Sequence, residues 1–280
     1  MCLIFSFMFK IISQTLFARS IIVLVKEVEK GLIKNESEIK KMRNLGKVLA
    51  SIFEELKKEI RPNVDSYDIE KLFLNLCEKN NVNPSCKGYV EGSLPPFPTG
   101  LCLSINNQSV HCFPKKGVIL KEGDIVNIDT VIDSDGLYVD SAHCFPVGNV
   151  DEEVLKFVKT TEKALYNAIK KVKNNTRIGA ISNTLQKTME KEGFNVLRDF
   201  EGHGIGYSMH EYPEIPCYGE KHDGPKLKEG MTICIEALTC EGNPKVVSTG
   251  GWETKMADGR NFCIFEHTVL VQKNGFEIFT

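Results

Sequence analysis

Two stretches of the chain repeat one another, and each repeat ends on a carboxylate. Leu120-Lys121-Glu122-Gly123 leads through Asp124 to Ile128 and then Asp129, while Leu227-Lys228-Glu229-Gly230 leads through Met231 to Ile235 and then Glu236. A Gly-marked turn followed by a β-branched strand thus delivers an acid twice. The repeat extends upstream. Ser109-Val110-His111-Cys112-Phe113-Pro114 matches Ser208-Met209-His210-Glu211-Tyr212-Pro213, and Asn63 to Val82 aligns with Asn175 to Phe194. In both halves the expected order is helices, then a histidine strand, then the Leu-Lys-Glu-Gly strand. Two related halves folded about a pseudo-twofold axis would bring both acids to one centre. Facing acids without a counter-ion are costly, which points to metal.

Helical spacing supports this order. Asn35 followed by Glu38 reads as a cap with its capping-box partner, ahead of apolar Ile39, Met42, Leu45, Leu49, Phe53 and Leu56. Pro62 breaks that helix and Asp65 starts a second. Pro95, Pro96 and Pro98 make 88–100 a loop. Strands are expected at Leu101–Ile105, Ser109–Cys112, Asp124–Asp133 and Leu137–Val147, the last two joined by a turn at Ser134-Asp135-Gly136. The second half is expected to carry helices at Glu152–Val172 and Ile178–Lys191. Its strands are expected at Ile205–Met209, Met231–Leu238, Lys245–Ser248 and Ile264–Val271. The class is α+β, antiparallel strands with helices clustered before each set, and no linker separates the halves, which should share one core.

Asp129 and Asp140 fall on the two arms of the expected hairpin, where antiparallel pairing can set them on one face. His203 lies in Gly202-His203-Gly204-Ile205-Gly206, and its flanking glycines let the backbone pass close to another group. With Glu236 and Glu266 they make four carboxylates and one imidazole, a set suited to two divalent ions.

Taken together, Asn127-Ile128-Asp129, Val139-Asp140-Ser141, Gly202 to Gly206, Ile235-Glu236 and Glu266-His267-Thr268 resemble the five signatures of the type I methionine aminopeptidases, from about Leu32 onward. The resemblance implies the pita-bread fold, two pseudo-symmetric halves with an antiparallel sheet covered by helices. It implies two divalent metal ions per chain (Co, Mn, Fe or Zn), with Asp129 chelating one, Asp140 and Glu266 bridging, and His203 and Glu236 completing the other. The implied activity is removal of the initiator methionine from nascent proteins by a metal-bridging hydroxide, favouring small second residues. Glu236 would shuttle the proton, His210 would donate to the scissile carbonyl, and His111 would contact the scissile amide nitrogen or the tetrahedral intermediate. The matching methionine-pocket positions are Cys86, Tyr89, Phe97, Cys102 and Trp252, with Met209 as a neighbouring wall. The chain departs from the family pattern in three places. The loop between Tyr89 and Phe97 is longer and Pro-rich, Met209 stands where an aromatic is usual, and Ile235-Glu236-Ala237-Leu238 replaces the familiar Ile-Glu-Pro-Met. His143, His222 and His267 are expected to be structural or exposed.

Other readings of the same fold are an Xaa-Pro aminopeptidase or dipeptidase and a catalytically dead binding module. A formal charge of −2 gives no reason to expect nucleic acid as a partner. The expected partner is the N-terminal Met of nascent polypeptides, met near the ribosome by a monomer. Ten cysteines without a Cys-x-x-Cys pair favour a reducing compartment over a zinc knuckle. Residues 1–30 read as an N-terminal extension, either a targeting segment or a poorly ordered arm, and 31–280 as a single catalytic domain. The first 26 residues hold no acid and three basic residues, but no apolar run long enough for a membrane span. The cytoplasm is the expected location, with a mitochondrion or plastid-like organelle as the alternative if that segment is a transit sequence.

Overall fold

The computed structural model describes residues 32–280, so the expectation for the extension 1–30 lies outside the described residues. Helix α1 (Glu36–Glu59) starts at its capping box. The Asn35 side chain accepts from the amides of Ser37 and Glu38, and the Asn35 amide donates to the Glu38 carboxylate at 2.7 Å. Its apolar stripe, including Met42, Leu49, Phe53 and Leu56, is buried, each large side chain contributing about 1.5–3 kcal/mol. Helix α2 (Ser66–Lys79) is capped by Asp65, which accepts from the Tyr67 amide. In the second half α3 (Glu152–Ile169) stops short of the expected Val172, because Lys171 and Val172 bond back only three residues and tighten the last turn. Helix α4 (Ile178–Lys191) spans the expected range.

The strands are β1 (Asn83–Pro84), β2 (Cys102–Ile105), β3 (Ile125–Ser134), β4 (Leu137–Pro146), β5 (Asn195–Val196), β6 (Glu201–Gly204), β7 (Glu211–Pro216), β8 (Thr232–Cys240), β9 (Val246–Gly250), β10 (Glu253–Met256), β11 (Phe262–Gln272) and β12 (Gly275–Ile278). Ten of them form one antiparallel sheet in the order β1-β3-β4-β11-β8-β6-β7, with β2 on β3, β5 on β8 and β12 on β11; β9 and β10 pair separately. Helix α1 packs on β3 and β4, and α3 packs on β8 and β11, both against the same face of the sheet. The opposite face is left for the site.

The repeat in the sequence is a repeat in the backbone. Asn63 and Asn175 both have positive φ (69° and 67°), as do Gly123 and Gly230 (89° and 88°). Asn63 donates to the Leu120 carbonyl and Asn175 to that of Leu227, each at 2.9 Å. Beyond α2 the short β1 pairs with β3, and beyond α4 the short β5 pairs with β8. Instead of one shared core, the buried apolar residues sort into two clusters, one about α1 and α2 and the other about α3 and α4, joined through the common sheet.

Two expected strands do not form. Residues 109–112 are a loop in which His111 has φ 62°. Its backbone makes isolated contacts and no ladder: the Ser109 amide donates to the Thr254 carbonyl, the Ser109 and Val110 carbonyls accept from the Ser104 and Thr254 hydroxyls, and the Cys112 carbonyl accepts from Leu103. Residues 205–209 leave the sheet after Ile205 donates to Thr232, because the chain turns at Gly206, which bonds to the Ser208 carbonyl. Both repeat histidines therefore sit on loops.

Candidate active site

Antiparallel register lays the chemistry out in two rows on the uncovered face. In the first row Cys102, Asp129, Ala142, Glu266 and Glu236 are successive Cα partners across β2, β3, β4, β11 and β8. In the second, Asp140 lies opposite Val131, while Thr268, Cys234 and His203 are successive partners across β11, β8 and β6. The Asp140 amide donates to the Thr268 hydroxyl, which donates back to the Asp140 carbonyl, both at 2.9 Å. Asp129 and Asp140 are thus diagonal neighbours on one face, as their spacing predicts.

These groups are buried with too few partners. One oxygen each of Asp140 and Glu266 is buried and accepts no hydrogen bond. Burial pushes Asp129 up to about 7, offset in part by a hydrogen bond with Asp140. Asp140, Glu236 and Glu266 are held well above the ordinary carboxylate range, first by burial and then by neighbouring acids, Asp129 foremost for Asp140 and Glu236 and Asp140 foremost for Glu266. At about 4 Å and an effective dielectric near 20, each ionised pair repels by roughly 4 kcal/mol.

His203 shows which species the site expects. Its Nδ1 lies 2.8 Å from the Gly204 carbonyl, an oxygen that only accepts, so the proton sits on Nδ1. Its Nε2 faces Glu236 Oε1 at 3.6 Å and Asp140 Oδ2 at 3.9 Å. The distances are those of an ion pair, but burial pulls this imidazole down to about 4, so it is neutral and offers a lone pair. Acceptors converging on acceptors fit a cation. Asp140, His203, Cys234 and Glu266 each bring a ligand atom within 4.8 Å of the others. Asp129 and Glu236 flank them in the first row. The donor set of carboxylates and imidazole suits divalent ions.

All of these carboxylates and His203 line a single cavity of about 660 Å³. His210 stands over His203 with ring centroids 4.5 Å apart, and its Nδ1 lies 3.3 Å from the Tyr89 hydroxyl. His111 faces the Trp252 ring at 6.0 Å and the Phe200 ring at 5.6 Å. Burial lowers both histidines. The far wall is apolar. Trp252 meets Phe97 edge-on at 5.4 Å and Tyr89 at 6.2 Å, and Cys86, Cys102 and Met209 complete it. The long loop is tied down at its base and middle. Gly88 donates to Phe97 and Phe97 to Tyr89, both at 2.8 Å, and the Trp252 indole donates to the Pro95 carbonyl at 2.7 Å.

Every residue expected from the sequence to hold metal or substrate lines this cavity. Sequence reading missed Cys234, although strand alternation puts it on the face of Glu236 two residues on. It also missed Phe200, whose neighbours give no periodic signal, and Glu211. His143 and His267 point to the helix-covered face, and His222 lies off the cavity.

The chain has close relatives of known kind. A methionine aminopeptidase of Clostridium perfringens is 40% identical over 250 residues, 89% of this chain and 98% of that protein. One of Bacillus subtilis is 36% identical over the same shares. The crystal structure of a methionine aminopeptidase from Thermotoga maritima superposes with a TM-score of 0.85 at 41% identity, covering 89% of this chain and 98% of that one. A prolidase from Pyrococcus furiosus, at 20% identity and a TM-score of 0.71 over 90% of this chain and 66% of its own, shares the fold alone. The sequence profile described as metallopeptidase family M24 matches residues 40–273. A family of that kind works with divalent metal, and the orphaned oxygens of Asp140 and Glu266 accord with it. By fold, site and sequence, the chain belongs to metallopeptidase family M24, among the methionine aminopeptidases.

Proposed function

We propose that this protein removes the N-terminal methionine from newly made polypeptides in the cytoplasm, close to the ribosome and as a monomer. The observation that carries the proposal is the pair of unsatisfied acids beside a neutral imidazole, facing an aromatic and thiol-lined pocket within one cavity. Asp129, Asp140, His203, Glu236 and Glu266 would hold two divalent cations, with Asp140 and Glu266 shared. When bound, such ions acidify water and polarise a carbonyl.

The chain's own residues do the rest. Glu236, at the edge of the cluster, takes the proton of the attacking water and delivers it to the leaving amine. The Tyr89 hydroxyl, 3.3 Å from Nδ1, can donate there, and in that tautomer His210 carries its proton on Nε2 and donates to the scissile carbonyl as charge grows there. Burial lowers His210 and so favours its neutral form. His111, between Phe200 and Trp252, contacts the scissile amide nitrogen or the tetrahedral intermediate. The methionine side chain lies among Tyr89, Phe97, Trp252, Cys86 and Cys102. Sulfur–aromatic contact there contributes only about 0.3–1.5 kcal/mol, so the shape of the pocket does much of the selecting. Small second residues are favoured.

The test is a peptide panel on the Mn²⁺-, Co²⁺-, Fe²⁺- and Zn²⁺-loaded protein. Cleavage of Met-Gly-type peptides is expected, with Xaa-Pro peptides poor or inert. Exclusive Xaa-Pro cleavage would replace this reading with the prolidase one, and inactivity with every metal would leave a binding module.

A further inference from the structure

We propose that Lys34 is a positioning residue for catalysis: its buried ion pair with Glu211 clasps the 206–210 loop and so aims His210 into the site. The inference rests on the donor role given to His210 above. Lys34 lies just before α1, far from the cavity in sequence. Its Nζ is 2.6 Å from Glu211 Oε2, and neither side chain is appreciably exposed (0% and 7%). The other oxygen of the same carboxylate accepts from the Tyr207 amide at 2.5 Å and the Ser208 amide at 3.1 Å. One carboxylate therefore holds the ammonium with one oxygen and closes the loop with the other. His210 is the residue next to Glu211, and both line the cavity.

The clasp is anchored at both ends. The Lys34 amide donates to Gly230, which itself donates to Val271 of β11, so the lysine is fixed to the sheet. Its Nζ also donates to the Leu32 carbonyl at 3.3 Å and lies 4.6 Å from the Tyr207 ring centre. Tyr207 reaches the other way, its hydroxyl donating to Glu38 of the α1 capping box at 2.8 Å. Gly206 lies flat on the lysine stem. A Cβ there would sit 2.0 Å from Lys34 Cε, so any larger residue would have to push the end of the lysine out of this arrangement.

Stability does not explain such a pair. Desolvating an ammonium and a carboxylate commonly costs as much as their attraction returns, and an apolar pair would do as well. What the ion pair supplies is one arrangement of a loop that has no ladder of its own. His210 stands on that loop, and misplacing a catalytic group by about 1 Å costs roughly 100-fold in rate.

The experiment is a double-mutant cycle on the Mn²⁺-loaded protein with a Met-Gly peptide, following kcat, KM and metal stoichiometry. Lys34→Met is expected to lower kcat by roughly 10- to 100-fold, with KM and bound metal little changed. In a His210→Ala background the same change is expected to cost less than about threefold, because the group it aims is gone. Equal losses in both backgrounds, or a loss carried by KM, overturn the clasp. Glu211→Gln, which keeps the acceptor for the two amides but removes the charge, runs the same cycle if Lys34→Met does not fold, and additivity there is equally fatal. A silent His210→Ala overturns the donor role itself, and the clasp falls with it by a separate route.

Discussion

Glu266 and His267 are neighbours on β11, yet they look onto opposite faces of the sheet, and the two faces treat buried titratable groups in opposite ways. On the helix-covered side His267 places Nε2 3.2 Å from the Tyr166 hydroxyl and Nδ1 3.2 Å from that of Thr280. His143 beside it sits against Phe53 of α1 and the His267 ring, with Ser141 Oγ 3.4 Å from its Nε2. Both imidazoles are neutral, lowered by burial to about 4 and about 3. On the uncovered side Asp140 and Glu266 keep bare oxygens and His203 aims a lone pair at two acids. A face whose polar groups find partners within the fold is architecture. A face whose acids crowd together with oxygens left bare is built for something that arrives from outside.

The contrast can be broken most forcefully on the acid face. Asp140→Asn is expected to abolish turnover and to lower metal content, since it removes the ligand assigned to both ions; full occupancy by elemental analysis would contradict the bridging role. His210→Ala is expected to keep its metal while losing roughly 100- to 1,000-fold in kcat, the usual cost of one donor to a developing oxyanion. Metal removal sharpens the contrast through pH. The unfolded carboxylates ionise near pH 4, whereas burial raises Asp129 to about 7 and holds Asp140, Glu236 and Glu266 well above the ordinary carboxylate range in the metal-free fold. The native state then binds more protons than the unfolded one, so stability falls as pH rises. Below about pH 6.5 the buried His143, His203 and His267 stay neutral while the unfolded imidazoles charge, so stability falls as pH drops. Chelator-treated protein should therefore lose stability as pH rises from about 6.5 through 7, where the imidazoles no longer titrate and Asp129 still does, and Mn²⁺ should flatten that loss. A gain from metal of equal size at every pH would argue against acids as the ligands. On the other face Tyr166→Phe should cost about 1 kcal/mol in denaturant melts and leave kcat untouched. A comparable loss of activity would mean that the two faces are coupled.

Much of this was legible in the sequence because the carriers of the signal are local. The Asn35–Glu38 box, the helix periodicities and the paired Gly123 and Gly230 turns depend on residues a few positions apart, and the duplication let each half corroborate the other. The ligand strands were legible for the same reason, since alternation fixes which side chains share a face. What failed was long-range. Val110 and Cys112 look like strand residues, but the left-handed His111 and single contacts to distant partners hold that segment as a loop. Ile205–Met209 has the pattern of a strand, and nothing local announces that Gly206 lies against Lys34. Cys234 was hidden by its ordinary role as a small apolar strand residue.

The zipped base of the 88–97 segment has a consequence for how this protein can vary. Because Gly88, Tyr89 and Phe97 close on one another through their own backbones, residues between them are added or removed outside the closure. Lengthening such an excursion costs little, about 0.6 kcal/mol for each doubling. The tip can therefore be rewritten by insertion while Tyr89 and Phe97 keep their places on the cavity wall.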